Sequence, residues 1–400
     1  MRHLHARLYT WLRCLLAGLA LAVISACTTP PPPTAQPARF AHDLHFGPPP
    51  EAVAATDTFA MSPAMVAYAD EHLGAGAPRS ARGRDPRQAL LAALYQNKKL
   101  RLQYDDSHTR TAAQAFEQRA GNCLSLVLMT AAFAKHLDLS VTFQAVEVDE
   151  TLERRGGLYL SSGHVNIVLQ RPPLALRRGG AVDDDADLVV DFLPGRDVAG
   201  ARVRHLNETT LVAMFNNNRA AEVLAAGQLA QGYWWARAAV LQAPGFMPAI
   251  NTLGVVYDRA GLPDAAEQAY RQVLDKEPRN VAALSNLVGT LRRQGRQLEA
   301  EPVARLLARL QPLPPFQAFD EGRRAMAAQD YERAKRLFDQ ELEHQPHQAE
   351  VHHWAALANW HLGRQSAVTY HLVQARDYSG TRSDRDRYSA KLENLRSGVH

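Results

Sequence analysis

The chain has 400 residues, 46% hydrophobic and 22% charged, which excludes wholesale disorder and is long for one domain. Its formal charge of +4 falls to +1 once Arg2, Arg7 and Arg13 are set aside, so no nucleic-acid partner is expected. Three cysteines, Cys14, Cys27 and Cys123, are too few for a disulfide-stapled scaffold.

Residues 1–26 hold those three arginines and no acid, and include an apolar run from Cys14 to Ile24. That run is too short to span a bilayer comfortably. A basic start, a short apolar core and then small residues are the pattern of a secretory signal peptide. Ile24-Ser25-Ala26-Cys27 resembles the bacterial lipobox. The resemblance implies that Cys27 is lipidated and becomes the first mature residue. With Thr28 after it, the same resemblance implies anchoring in the outer membrane of the cell envelope, facing the periplasm. Chains on one residue suffice for anchoring when more than one is attached. Residues 27–58, with Pro30 to Pro33, Pro37 and Pro48 to Pro50, read as an extended semi-rigid tether.

Between residues 59 and 212 the pattern is mixed. Helices are expected over Pro63 to Leu73, Pro86 to Tyr95 and Thr111 to Arg119. The nearly all-apolar stretch from Leu124 to Leu137 reads as a helix buried on every face. Strands are expected over Val141 to Val148, His164 to Leu169 and Leu188 to Phe192. Asp183, Asp184, Asp185 and Asp187 read as a solvated loop, because the spacing and glycine of a calcium loop are missing.

With Cys14 removed and Cys27 lipidated, Cys123 is the one free thiol of the mature chain. Asn122 is a natural N-cap, which sets the sulfur at the positive end of a helix dipole and favours thiolate. The first-turn N–H groups point to the same place and can hold an oxyanion. A lone cysteine in an apolar chain is more commonly a small buried hydrophobe, but its place at the helix start argues against that. A thiolate also needs a base and an orienter. Val165, Ile167 and Leu169 share one strand face, with His164 and Asn166 on the other. On the next strand Asp191 lies opposite Leu188, Val190 and Phe192. Cys123, His164 and Asp191 therefore form a workable triad, although such histidines and aspartates are more commonly structural.

Thr109-Arg110-Thr111-Ala112-Ala113 through Arg119-Ala120-Gly121-Asn122-Cys123, with the following helix, resembles the transglutaminase-like superfamily of papain-type thiol enzymes. The resemblance implies an α+β papain/transglutaminase-like domain over residues 59–212. It carries the nucleophile, base and orienter to Cys123, His164 and Asp191. Val165 after the histidine and Phe192 after the aspartate depart from the family's aromatic residue and Asp-Pro.

Beyond residue 212 the strand signal stops. Pro244, Pro278, Pro312 and Pro346 recur every 34 residues. Twelve positions before each lies a small residue: Gly232, Ala266, Ala300 and Ala334. This period resembles the tetratricopeptide repeat, with Leu253, Gly254, Tyr257, Gly261, Ala266, Tyr270 and Pro278 on its signature positions. Small residues let the helices of a hairpin cross closely, and the proline ends the second helix. An all-α solenoid of about five repeats is expected over 213–382, the last degenerate, with a capping helix and tail over 383–400. The two domains meet near Ala213 and are expected to be separable. His344, His347, His352 and His353 read as a solvated face, not a metal site. Trp234 and Trp235 read as packing residues. No phosphate-cradling glycine loop is present, so no cofactor is expected.

Two functions follow. One is a lipid-anchored envelope thiol enzyme acting on amide bonds as peptidase, amidase or acyl transferase, with a peptide or partner protein in the solenoid groove. The alternative is a catalytically inactive repeat adaptor for an envelope protein complex.

Overall fold

In the computed structural model, residues 40–74, 85–97, 100–155, 158–170, 186–192, 201–311 and 316–397 are described, with backbone alone for 147–155 and 158–162. The chain divides into Met1–His45 and Phe46–His400, and both the candidate site and the repeats belong to the second unit. Cys27, the signal segment, Asp183 to Asp185 and Pro312 lie outside the described residues. Among the described residues no helix is long and apolar enough to cross a membrane.

After a single helical turn over Glu51–Ala54, the second unit continues with the helices Pro63–His72, Pro86–Leu91 and Ala112–Gln118. Each of these three begins at a side chain that accepts a first-turn N–H: Ser62, Asp85 and Thr111 respectively. Strand β1 (Gln103–Tyr104) then pairs in parallel with β2 (Ala120–Gly121), directly before the Cys123–His136 helix. Every residue from Cys123 to Ala134 is buried, which is why no polar stripe interrupts the sequence there. Truncating Val127, Leu128 or Phe133 to alanine inside such packing costs about 2–5 kcal/mol each.

The sheet comprises β3 (Val141–Arg155), β4 (Leu158–Leu169), β5 (Leu188–Val190) and β6 (Arg202–Leu206). Its order is β5-β4-β3-β6, with every pair antiparallel. β3 and β4 pair on to Arg155 and Leu158, past a register shift between Val146 and Thr151. The polar residues there hid this extension from the sequence. Strand β6 was not expected either. Arg202, Val203, Arg204 and His205 are exposed on this edge strand, so the chain needs no apolar alternation to form it.

Five helical hairpins follow. They are Glu208–Ala225 with Leu229–Gln242, Met247–Arg259 with Pro263–Lys276, Val281–Arg293 with Gln297–Leu310, Gln317–Ala327 with Tyr331–His344, and Ala349–His361 with Gln365–Asp377. Four of them turn on a glycine with positive φ: Gly227, Gly261, Gly295 and Gly363. In the remaining hairpin Gln329 takes the same left-handed conformation, with φ 59°. A last helix, Arg382–Ser397, buries Tyr388 and Leu392 against Ala356, Val368, Leu372 and Ala375.

Contacts cross both expected boundaries. Within 27–58, Phe46 is buried and stacks on Tyr233 with ring centroids 3.9 Å apart. Hydrogen bonds also join the two halves. Thr109 N–H donates to Glu222 in the first repeat helix, and Arg385 at the far end of the solenoid donates to Tyr104 O.

Candidate thiol site and repeat solenoid

Gly121 delivers the chain into the cysteine helix, where a Cβ would lie 2.7 Å from the Ser125 Cβ. Asn122 caps that helix by accepting from Ser125 N–H at 2.9 Å and from Ser125 Oγ at 2.7 Å. Its own amide donates to Thr109 Oγ1 at 2.9 Å. Cys123 is therefore the first helical residue, and it is 9% exposed.

His164 lies on β4 at 3% exposure. Its Nε2 is 2.7 Å from Asp191 Oδ2. Asp191 follows β5, whose approach is fixed by Arg87, fully buried, donating from Nη1 to Ala186 O at 2.9 Å. On the other side of Asp191, Phe192 packs against Tyr95 with centroids 5.2 Å apart. Burial alone would make His164 less basic. The Asp191 hydrogen bond and then the adjacent Cys123 thiol outweigh it, and raise the His164 pKa to about 9. Cys123 acts on the ring through a hydrogen-bonding and a charge interaction, although His164 Nδ1 is buried without a partner in full hydrogen-bond geometry.

The structure thus brings Cys123, His164 and Asp191 together. Asn166, on the His164 face, is 3% exposed and its Oδ1 has no hydrogen-bond partner. Arg87 and Tyr95 support Asp191 from another part of the chain, and their spacing to it carries no sequence signal.

Within the histidine run His344 is exposed, as expected, while His347 and His353 are half-buried and His352 is buried. His352 is 3% exposed, and its Nδ1 meets Nδ1 of His371 at 3.0 Å. His352 Nε2 donates to Pro346 O at 2.9 Å, and one ring donates to the other between the two Nδ1 atoms. Burial pushes the His352 pKa down against the Pro346 bond. Burial and His352, with Lys335 opposed by Asp339, bring His371 to about 4. His353 falls to about 4 through burial, Lys391 and Arg387. A histidine depressed in the folded state stabilises it fully above pH 6.5, and that stability drains away as the pH falls toward 4. Thermal midpoints should therefore drop between pH 6.5 and 5, less so in His371→Gln. Equal midpoints at pH 6.5 and 5 would contradict this account.

Residues 251–313 and 319–367 match the tetratricopeptide repeat family. No curated protein matches the chain. Among solved structures, MamA of strain AMB-1 is 21% identical over 41% of this chain and 89% of its own, with a TM-score of 0.24. TTC0263, a thermophilic tetratricopeptide protein of Thermus thermophilus, is 16% identical over 45% and 98%, at 0.27. MamA of Desulfovibrio magneticus RS-1 is 13% identical over 43% and 96%, at 0.25. Scores this low carry no argument about the whole molecule. The repeats rest on the family match and on their helices.

Proposed function

We propose that the chain is an adaptor whose tetratricopeptide solenoid binds a partner protein or an extended peptide. The observation that carries this reading is the repeat match over 251–313 and 319–367. Stacked helix pairs expose a long continuous surface, which suits binding more than catalysis. The first helices of successive repeats present polar side chains in register, and Asn286 Nδ2 donates to Asn251 Oδ1 at 3.1 Å. A photo-crosslinking residue at Asn251 or Asn286 should give a discrete adduct in cells. The same probe at Leu298, 93% exposed on a second helix, should give none. Equal adducts at all three positions would count against a groove on the first helices.

A second reading, a thiol enzyme acting on amide bonds, is favoured by one observation: His164 sits between Cys123 and Asp191. Asp191 holds Nε2–H, which leaves Nδ1 as the nitrogen that exchanges a proton with the sulfur. In this reading the Cys123 thiolate attacks an amide carbonyl, forming the S–C bond. First-turn N–H groups hold the oxyanion. His164 Nδ1–H then protonates the leaving nitrogen as the C–N bond breaks, and the thioester passes to water or an amine. The α+β part would be a transglutaminase-like domain, supported by the segment from Thr109 to Cys123 and by the order of the three residues. The lipobox-like Ile24-Ser25-Ala26-Cys27 supports anchoring in the cell envelope for either reading.

A further inference from the structure

One loop, residues 104–110, touches the start of the Cys123 helix on one side and both ends of the solenoid on the other. Toward the helix, Asp105 N–H donates to Gly121 O at 3.0 Å, and Arg110 N–H donates to Ser125 Oγ at 2.8 Å. Between them, Asn122 donates to Thr109 Oγ1 at 2.9 Å. Toward the solenoid, Thr109 N–H donates to Glu222 Oε1 at 2.6 Å. Asp106 N–H donates to Gly380 O at 3.1 Å, and Arg385 Nη2 donates to Tyr104 O at 2.8 Å. Arg385 Nη1 also donates to Ser379 O at 2.7 Å, which ties the last helix to the turn before it.

The loop is stiff enough to transmit a displacement. Buried Arg110 cross-links it, pairing with Asp105 at 2.8 Å and donating to His108 O at 2.9 Å and to Gln118 at 2.6 Å. The approach of the solenoid end is also close. A Cβ at Gly380 would lie 1.5 Å from Asp106 Oδ2, so any side chain there must push Asp106 aside.

We propose that Arg385 and Glu222, at opposite ends of the solenoid, are positioning residues for Cys123, acting through the 104–110 loop. This rests on the thiol reading of the site. Neither side chain touches the reacting atoms. Each holds one outer bond of a loop whose inner bonds set the N-cap, and the N-cap sets where the sulfur and the first-turn N–H groups stand relative to His164. Whatever occupies the solenoid and changes its curvature moves Glu222 against Arg385, and so reaches the thiol.

The test is the pH profile of Cys123 alkylation by iodoacetamide in the full chain. Arg385→Ala and Glu222→Ala should each slow labelling at pH 6.5 by about three- to tenfold, the scale of one lost hydrogen bond, and shift the profile. Arg385→Lys, which keeps a donor, should recover part of the rate. Arg382→Ala should change nothing, since that guanidinium reaches Asp386 on the same helix. Gly380→Val keeps every donor and forces Asp106 away, so it should reproduce Arg385→Ala. Circular dichroism identifies any variant that has not folded, and the other then decides. Superimposable profiles for wild type and a folded Arg385→Ala or Gly380→Val overturn the proposal. Failure of the thiol reading looks different: His164→Ala would leave the profile unchanged, whatever Arg385→Ala does.

Discussion

Replacing His164 with alanine should slow alkylation of Cys123 at pH 6.5 by about tenfold or more. The magnitude follows from what the ring does at neutral pH. Held by Asp191 and beside the sulfur, His164 keeps its proton up to about pH 9. An imidazolium next to the sulfur favours the thiolate, the species that reacts. Labelling of the wild type should therefore be faster than that of His164→Ala at neutral pH. Asp191→Asn should fall between the two, since the imidazole stays but its proton is held less firmly. The same raised pKa has a stability consequence with a definite sign. Its contribution is complete below pH 6.5 and is lost as the pH rises through 9. A wild-type profile that already climbs like a free thiol, unaltered by His164→Ala, would leave the adaptor reading alone.

Much of this is legible in the sequence, for physical reasons that differ between the two halves. The repeats announce themselves because each hairpin solves the same packing problem with the same residues, so Gly227, Gly261, Gly295 and Gly363 recur at their turns. The exception at Gln329 shows that the turn demands a left-handed conformation, which glycine supplies at least cost, and not the glycine itself. The cysteine helix is readable from its unbroken apolarity and its Asn122 cap. What stays hidden is long-range. Arg87 reaches Ala186 and Arg385 reaches Tyr104 across stretches of chain that no local period spans. The buried pair of His352 and His371 escapes a sequence reading because histidines in a polar run look solvated. Each satisfies its nitrogens only through a partner on another element. Local rules place elements, and bonds between elements decide which polar residues are buried.

Gly254→Val should destabilise the solenoid, and its cost should largely vanish in a chain where Tyr270 is already truncated. A Cβ at Gly254 would lie 2.6 Å from Tyr270 Cε1, and Tyr270 is 1% exposed and hemmed in. Overpacking of this kind costs about 1–3 kcal/mol, and more where the neighbour cannot move. Tyr270→Ala alone should cost about 3–5 kcal/mol by opening a cavity. The chain already holds the repaired pair one repeat later. Thirty-four residues on from Gly254 and Tyr270 stand Val288 and Ala304, and a further 34 on stand Gly322 and Phe338. At Gly322 the added Cβ would meet Phe338 Cε1 at 2.5 Å, so the small-against-aromatic contact recurs. The summed volume across the helix crossing is thus kept while its division between the two helices is exchanged. The double change Gly254→Val, Tyr270→Ala should therefore cost less than the sum of the two single changes, by a coupling of about 1–3 kcal/mol, as expected for residues in contact. Chemical unfolding of the four proteins gives the cycle directly. Additive losses would mean that the valine does not enter the space the ring vacates, and that the exchange between repeats reflects something other than packing.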